Sequence, residues 1–130
     1  MPETVLVVDD HPLVLTTLVC TLLHAGFQVL SASSGGEALA VASRPGQRID
    51  LLVCDLILPD MPGTDLASRV SELHPHMRYL YITGLPDHPR VTEDIVAALL
   101  PKPFLPHVLV RRAHEILGTH PRTMTATAAG

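Results

Sequence analysis

The 130 residues (14.0 kDa) suffice for one domain with a substantial core and leave no room for a second sizeable module. Apolar residues make up 47% of the chain and aromatics only 3%, so that core must be built from Leu, Val, Ile and Ala. A net charge of −4 and a pI near 6.0 argue against a nucleic-acid-binding surface, and no apolar run approaches the roughly 18–20 residues of a membrane span.

Short apolar runs alternate with amphipathic segments, the pattern of βα units around a parallel sheet. Val5 to Val8 reads as a central strand buried on both faces, stopping at Asp9-Asp10. Pro12 suits the first turn of the next helix, where Val14, Leu18, Leu22 and Ala25 form one stripe and Thr17, Thr21 and His24 another; Gly26 stops it. Phe27 to Ala32 is the second strand, and Ser34-Gly-Gly-Glu37 has capping-box spacing for the second helix, which ends at Arg44-Pro45-Gly46. Ile49 to Cys54 is the third strand, ending at Asp55. After the turn-dense segment Leu58 to Gly63, Leu66, Val70 and Leu73 mark a third helix.

Arg78 to Thr83 is the fourth strand. The segment after it carries Pro86 and Pro89 and is helical at best from Val91 to Val96, so the fourth helix is expected to be short or irregular. Ala98 to Pro101 would be a short fifth strand, and Pro106 to Leu117 a last helix with Leu109, Ala113 and Ile116 on one face. The organisation expected is one domain over residues 1–117, with residues 118–130 as a disordered tail. Cys20 and Cys54 lack CxxC spacing and read as two buried thiols of a reducing compartment. With no signal-peptide pattern at the N-terminus, a cytoplasmic location is expected.

Open parallel α/β sheets bind ligands along the edge where the C-terminal ends of the strands lie. The polar residues at those ends are Asp9, Asp10, Asp55, Thr83 and Lys102, the only lysine of the chain. Clustered carboxylates repel, and such a cluster holds either a proton or a hard divalent cation; carboxylate ligands without His or Cys favour Mg²⁺ over zinc. A flexible ammonium opposite them can follow a phosphoryl group as a point charge. The Lys102-Pro103 bond is a candidate cis peptide. An isolated strand-end Asp is usually a turn former or helix cap, and a lone Lys a solvated side chain; that plainer account must here hold at four places on one edge.

Four segments carry a resemblance: Val5-Leu-Val-Val-Asp-Asp-His-Pro12, Asp50 to Gly63, Tyr79-Leu-Tyr-Ile-Thr83-Gly84 and Pro101-Lys-Pro-Phe104. In this order they resemble the receiver domains of two-component response regulators, over about residues 4 to 117. The resemblance implies a doubly wound five-stranded parallel sheet of order 2-1-3-4-5 with helices on both faces. It implies that Asp55 accepts a phosphoryl group from the phosphohistidine of a sensor histidine kinase or phosphotransfer protein. Asp10 and Asp55 would ligate Mg²⁺ directly, Asp9 mostly through water, and the Ile57 carbonyl would complete the protein ligands. Thr83 would bond a phosphoryl oxygen, and Lys102 would pair with the phosphoryl group.

The expected protein is a stoichiometric switch or phosphorelay module with self-catalysed phosphotransfer, not a turnover enzyme. A monomer or weak dimer is expected. Its output would be a protein contact, because no DNA-binding segment follows the last predicted helix, unless the chain is the receiver part of a hybrid sensor kinase. Departures from the family pattern are Leu99 in place of the usual aromatic switch residue, the shortened fourth-helix region, and apolar Ile57 and Leu85 two positions after Asp55 and Thr83. The last pair would impede an attacking water, so slow autodephosphorylation is expected. Phosphatases of the haloacid dehalogenase type carry their nucleophile in a D-x-D after the first strand, and Asp9-Asp10-His11 lacks that spacing. A receiver fold kept only as an interaction scaffold would not need the five polar residues together. The His74-Pro-His76 pair precedes the fourth strand at the opposite edge and reads as solvated.

Overall fold

The computed structural model describes residues 2–85, 88–89 and 91–120. Five strands, β1 (Thr4–Val8), β2 (Gln28–Ala32), β3 (Leu51–Asp55), β4 (Arg78–Thr83) and β5 (Leu99–Pro101), form one parallel sheet in the order β2-β1-β3-β4-β5. The helices are α1 (Pro12–His24), α2 (Gly35–Ala42), α3 (Gly63–Leu73), α4 (Glu93–Val96) and α5 (Pro106–Leu117). This is the doubly wound architecture expected from the sequence, with a fourth helix of a single turn.

The period-2 alternation of strand side chains divides the core in two. Leu6, Val8, Leu52 and Cys54 face one side and pack with Ala38 and Val41 of α2 and Leu66 and Val70 of α3. Val5, Val7, Leu51, Val53, Leu80 and Ile82 face the other and pack with Leu18 and Leu22 of α1 and Leu109 and Ala113 of α5. Every residue of β1 is buried, as a continuous apolar run between two neighbouring strands requires. Each fully buried Leu or Val contributes on the order of 1.5–3 kcal/mol, so both layers are needed to offset the ordering of the chain.

The predicted stops operate as written. Gly26 takes a left-handed conformation (φ 98°), and the N–H groups of Gly26 and Phe27 close α1 onto the Leu23 and Leu22 carbonyls. Phe27 therefore belongs to the turn, and β2 begins at Gln28. Ser34 Oγ accepts the Glu37 N–H (3.1 Å), while the Glu37 carboxylate reaches the Ser33 N–H, one residue earlier than in an ideal capping box. β3 starts at Leu51; Asp50 just before it already bonds both neighbouring strands through its backbone, N–H to the Thr4 carbonyl (2.8 Å) and carbonyl to the Arg78 N–H (3.0 Å), while its carboxylate accepts the Thr4 N–H (2.8 Å) and the Arg48 Nε–H (2.9 Å).

Several expectations are corrected. Cys20 is exposed and only Cys54 is buried. Leu73, counted in the apolar stripe of α3, is 50% exposed as the last residue of that helix. His74 is not a solvated loop residue, since its Nε2 lies 2.9 Å from the Ala42 carbonyl oxygen and ties the end of α3 to the end of α2. Gly118 and Thr119, assigned to a tail, close α5: Gly118 is left-handed (φ 71°) and the Thr119 N–H bonds the His114 carbonyl (3.0 Å). The rest of the expected tail, residues 121–130, lies outside the described residues.

Burial drives the Cys54 thiol far above its ordinary pKa, with the charges of Asp55 and Asp9 adding to the effect. Native protein should therefore react with one equivalent of a thiol-disulfide reagent, through Cys20, and with a second only after denaturation. Two fast equivalents in native buffer would contradict this placement.

Candidate functional site

The parallel sheet brings the expected residues to one edge. Asp9 follows β1, Asp55 and Thr83 end β3 and β4, and Lys102 follows β5. The register pairs Asp55 with Ile82 and Thr83 with Pro101, and the Lys102 N–H bonds the Thr83 carbonyl oxygen (2.7 Å), so adjacent strand ends stay level. The Lys102-Pro103 bond is cis.

Lys102 joins the acidic residues. Its Nζ lies 3.1 Å from Asp9 Oδ2 and 3.0 Å from Asp55 Oδ2, hydrogen bonding both. Asp9 is fully buried; its other oxygen accepts the His11 N–H (2.9 Å), and its own N–H is bonded to the Ala32 carbonyl (3.2 Å). Asp55 Oδ1 accepts the Ile57 N–H (3.0 Å). A buried carboxylate is tolerated only when paired and hydrogen bonded, and both acids meet that condition. Desolvation opposes the charge on Lys102, but hydrogen bonds and charge from Asp55, then from Asp9, outweigh it and hold the ammonium above the ordinary lysine pKa.

Asp10 stands beside this pair with its side chain 39% exposed. The structure corrects the donor set here: the His11 Nδ1 lies 3.6 Å from Asp10 Oδ1 and 3.8 Å from Asp9 Oδ1, so a nitrogen stands in a group first read as oxygen only. Sequence reasoning missed it because only strand-end carboxylates were considered. The charges nevertheless fit a divalent cation. The close group of possible ligand atoms is that of Asp9, Asp10 and His11, with Asp55 joined to Asp9 through Lys102; together the three carboxylates against one ammonium leave a formal excess of two negative charges.

Thr83 is buried, and its Oγ1 accepts the Leu85 N–H (2.9 Å), which fixes the hydroxyl oxygen at the end of β4. Ile57 (40% exposed) and Leu85 (59% exposed) are apolar groups left at the surface after β3 and β4. The loop carrying Ile57 is tight: the Gly63 N–H bonds the Leu56 carbonyl (2.8 Å), and any Cβ at Gly63 would collide with the Asp55 carbonyl oxygen. Glycine is required there by close approach, not by its dihedral angles.

Because the Lys102 pKa is raised on folding, its contribution to stability is complete below the unfolded lysine value of about 10.4 and is lost as pH rises through the higher folded value. With EDTA present, Lys102→Met should lower the urea midpoint at neutral pH, and the gap from wild type should narrow above pH ~10.4. Equal midpoints at neutral pH, or a gap unchanged at high pH, would show that the two ion pairs contribute nothing to the difference.

Comparison with known proteins agrees with this geometry. The family model for the response regulator receiver domain matches residues 5–114. The chain is 31% identical over 117 residues to the sensor kinase CckA of Brucella abortus, covering 88% of this chain and 12% of that protein. It is 38% identical over 120 residues to the transcriptional regulatory protein TrcR of Mycobacterium tuberculosis, covering 89% and 46%. The chain thus spans half or less of these relatives. Among solved structures, a CheY-like receiver domain protein from Methanospirillum hungatei superimposes with a TM-score of 0.77 at 27% identity, covering 91% of this chain and 95% of that one. The receiver domain of the hybrid histidine kinase CckA gives 0.75 at 28%, covering 88% and 99%. Sequence, topology and the convergence of Asp9, Asp55 and Lys102 agree: the chain belongs to the response regulator receiver family of two-component signalling.

Proposed function

We propose that this receiver domain is a cytoplasmic phosphoacceptor switch in which Asp55 takes a phosphoryl group from the phosphohistidine of a sensor kinase or phosphotransfer protein. The observation that carries the reading is the Lys102 ammonium bridging Asp9 and Asp55 at 3.1 and 3.0 Å. An Asp55 oxygen attacks phosphorus, the P–N bond breaks, and the imidazole nitrogen leaves with the electron pair and takes up a proton. The product is an acyl phosphate on Asp55. Lys102, already in contact with Oδ2, needs little movement to follow the charge onto the phosphoryl oxygens, and catalysis of this kind is mostly positioning and charge stabilisation.

Asp10, Asp55 and the Ile57 carbonyl would hold Mg²⁺, with Asp9 acting through water. When bound, the ion supplies positive charge opposite the transferring phosphoryl group. Thr83 offers its hydroxyl to a phosphoryl oxygen. A cavity of about 300 Å³ lined by Leu13, Val14, Thr17, Lys102, Pro103 and Phe104 adjoins the ammonium and suits the approach of a phosphodonor. Among the described residues no helix is long and apolar enough to cross a membrane. The module acts once per phosphoryl group rather than turning over a substrate, and the added charge shifts a two-state equilibrium that a partner reads.

Incubation with acetyl phosphate or phosphoramidate and Mg²⁺ should add one phosphoryl group to the intact mass. Asp55→Asn or excess EDTA should abolish the gain. Labelling that persists in Asp55→Asn would place the acceptor elsewhere, and continuous turnover of a phosphomonoester would favour an enzyme instead.

Exposed Ile57 and Leu85 hinder water from approaching in line. The phosphorylated form should therefore decay slowly, and the double variant Ile57→Asn/Leu85→Gln should decay faster by about tenfold, a barrier change of ~1.4 kcal/mol. A lifetime of seconds that the double variant leaves unchanged would remove this account.

A further inference from the structure

We propose that Asp60 is a positioning residue that fastens the β3–α3 loop to the first turn of α2, and through it couples occupancy of the acidic site to α2. The proposal rests on the phosphoacceptor reading and extends it to a residue outside the charged cluster.

Asp60 Oδ1 accepts the Gly35 N–H (2.9 Å) and Oδ2 accepts the Gly36 N–H (2.8 Å). These are two of the four amides that an α-helix leaves unpaired at its start. Ser34 takes a third, that of Glu37, so the turn is capped partly from within α2 and partly by an acid 25 residues away. Both donors belong to fixed backbone and both carboxylate oxygens are used, so the contact has little freedom to lose. Gly35 and then Gly36 hold the Asp60 carboxyl below the usual carboxylate range. Met61 follows Asp60 onto the same spot: a Cβ on Gly35 would lie 2.7 Å from its side-chain atoms, so a larger residue there has to displace the Met61 side chain.

The loop is consequently held at two points. Its base is closed by the Gly63 N–H to the Leu56 carbonyl and by the pairing of Ile57 with Pro62. Its tip, Asp60, is held by α2. Ile57, the proposed carbonyl ligand, is part of that base, with its N–H on Asp55. The strand leading into α2 also serves β1, since the carbonyl of Ala32, the last residue of β2, accepts the Asp9 N–H. The acidic segments after β1 and β3 are thus tied to one short stretch, residues 32–36, and a cation that draws them together bears on both attachments. Binding linkage is reciprocal, so whatever the clamp does for the cation, the cation does for the clamp.

Calorimetric titration with Mg²⁺ on wild type, Asp60→Ala, Asp60→Asn, Gly35→Pro and Asp55→Asn tests this, alongside hydrogen exchange of the Gly36 amide in wild type with and without Mg²⁺. Gly35→Pro attacks the contact from the other side. Proline is accepted at the first helical position and Ser34 is already extended (φ −152°, ψ 165°), so α2 is preserved while one donor is lost and Met61 displaced. Asp60→Ala and Gly35→Pro should each weaken Mg²⁺ binding by about fivefold or more, Asp60→Asn should recover part of the loss, and Mg²⁺ should slow Gly36 exchange in wild type. Wild-type affinity in both Asp60→Ala and Gly35→Pro, whatever their stability, would reduce Asp60 to a helix cap and overturn the coupling. If wild type binds no Mg²⁺, or Asp55→Asn binds it equally well, the phosphoacceptor reading fails and the coupling with it. If Asp55→Asn is weakened and Asp60→Ala is not, only the coupling fails.

Discussion

Lys102 stands between two carboxylates, one of them wholly buried, and the edge of the sheet is arranged around that contact. Charge removed from water is costly unless it is paired and hydrogen bonded. The fold meets this requirement by bringing strand ends together: β1 delivers Asp9, β3 delivers Asp55, and β5, tied to β4 at Thr83, delivers the ammonium. One positive charge cannot balance Asp9, Asp10 and Asp55. In the proposed function the remaining negative charge holds a divalent cation, and that cation with Lys102 offsets the charge of the transferred phosphoryl group.

The region where α4, β5 and α5 meet carries the sequence departures at Leu99 and in the shortened fourth helix. α4 is one turn long, and Leu99 is 8% exposed where an aromatic residue would be expected to swing. Arg112 of α5 secures this region instead, donating to the carbonyl oxygens of Leu99 (2.9 Å) and Ala97 (2.8 Å), the latter at the C-terminal end of α4. A guanidinium on the last carbonyl of a helix is favourable in charge as well as in hydrogen bonding. Arg112 thus ties the backbone at the end of α4 and the start of β5 to α5.

Much of this was legible because it depends on local pattern. An all-apolar Val5 to Val8 followed by two acids can hardly be anything but a buried strand ending at a polar edge, and α5 begins at Pro106 and ends at Leu117 as its proline and apolar spacing indicate. The exposure of Cys20 was also accessible: it lies two positions from both Leu18 and Leu22, hence on the far side of α1 from the buried pair. His11 was overlooked although it adjoins Asp10. Asp60 and Arg112 are another matter. Their partners are backbone groups brought close only by packing, and a carboxylate in a turn-rich loop or an arginine on a helix carries no sign of them in sequence.

The central claim is that Asp10 and Asp55 share one divalent cation opposite Lys102. Anomalous scattering from crystals soaked in Mn²⁺ tests it directly. A single strong peak should lie between the two carboxylates, bonded to an oxygen of each, with Lys102 on the far side of Asp55. A peak bound to only one of them, or none near either at saturating Mn²⁺, would contradict the account.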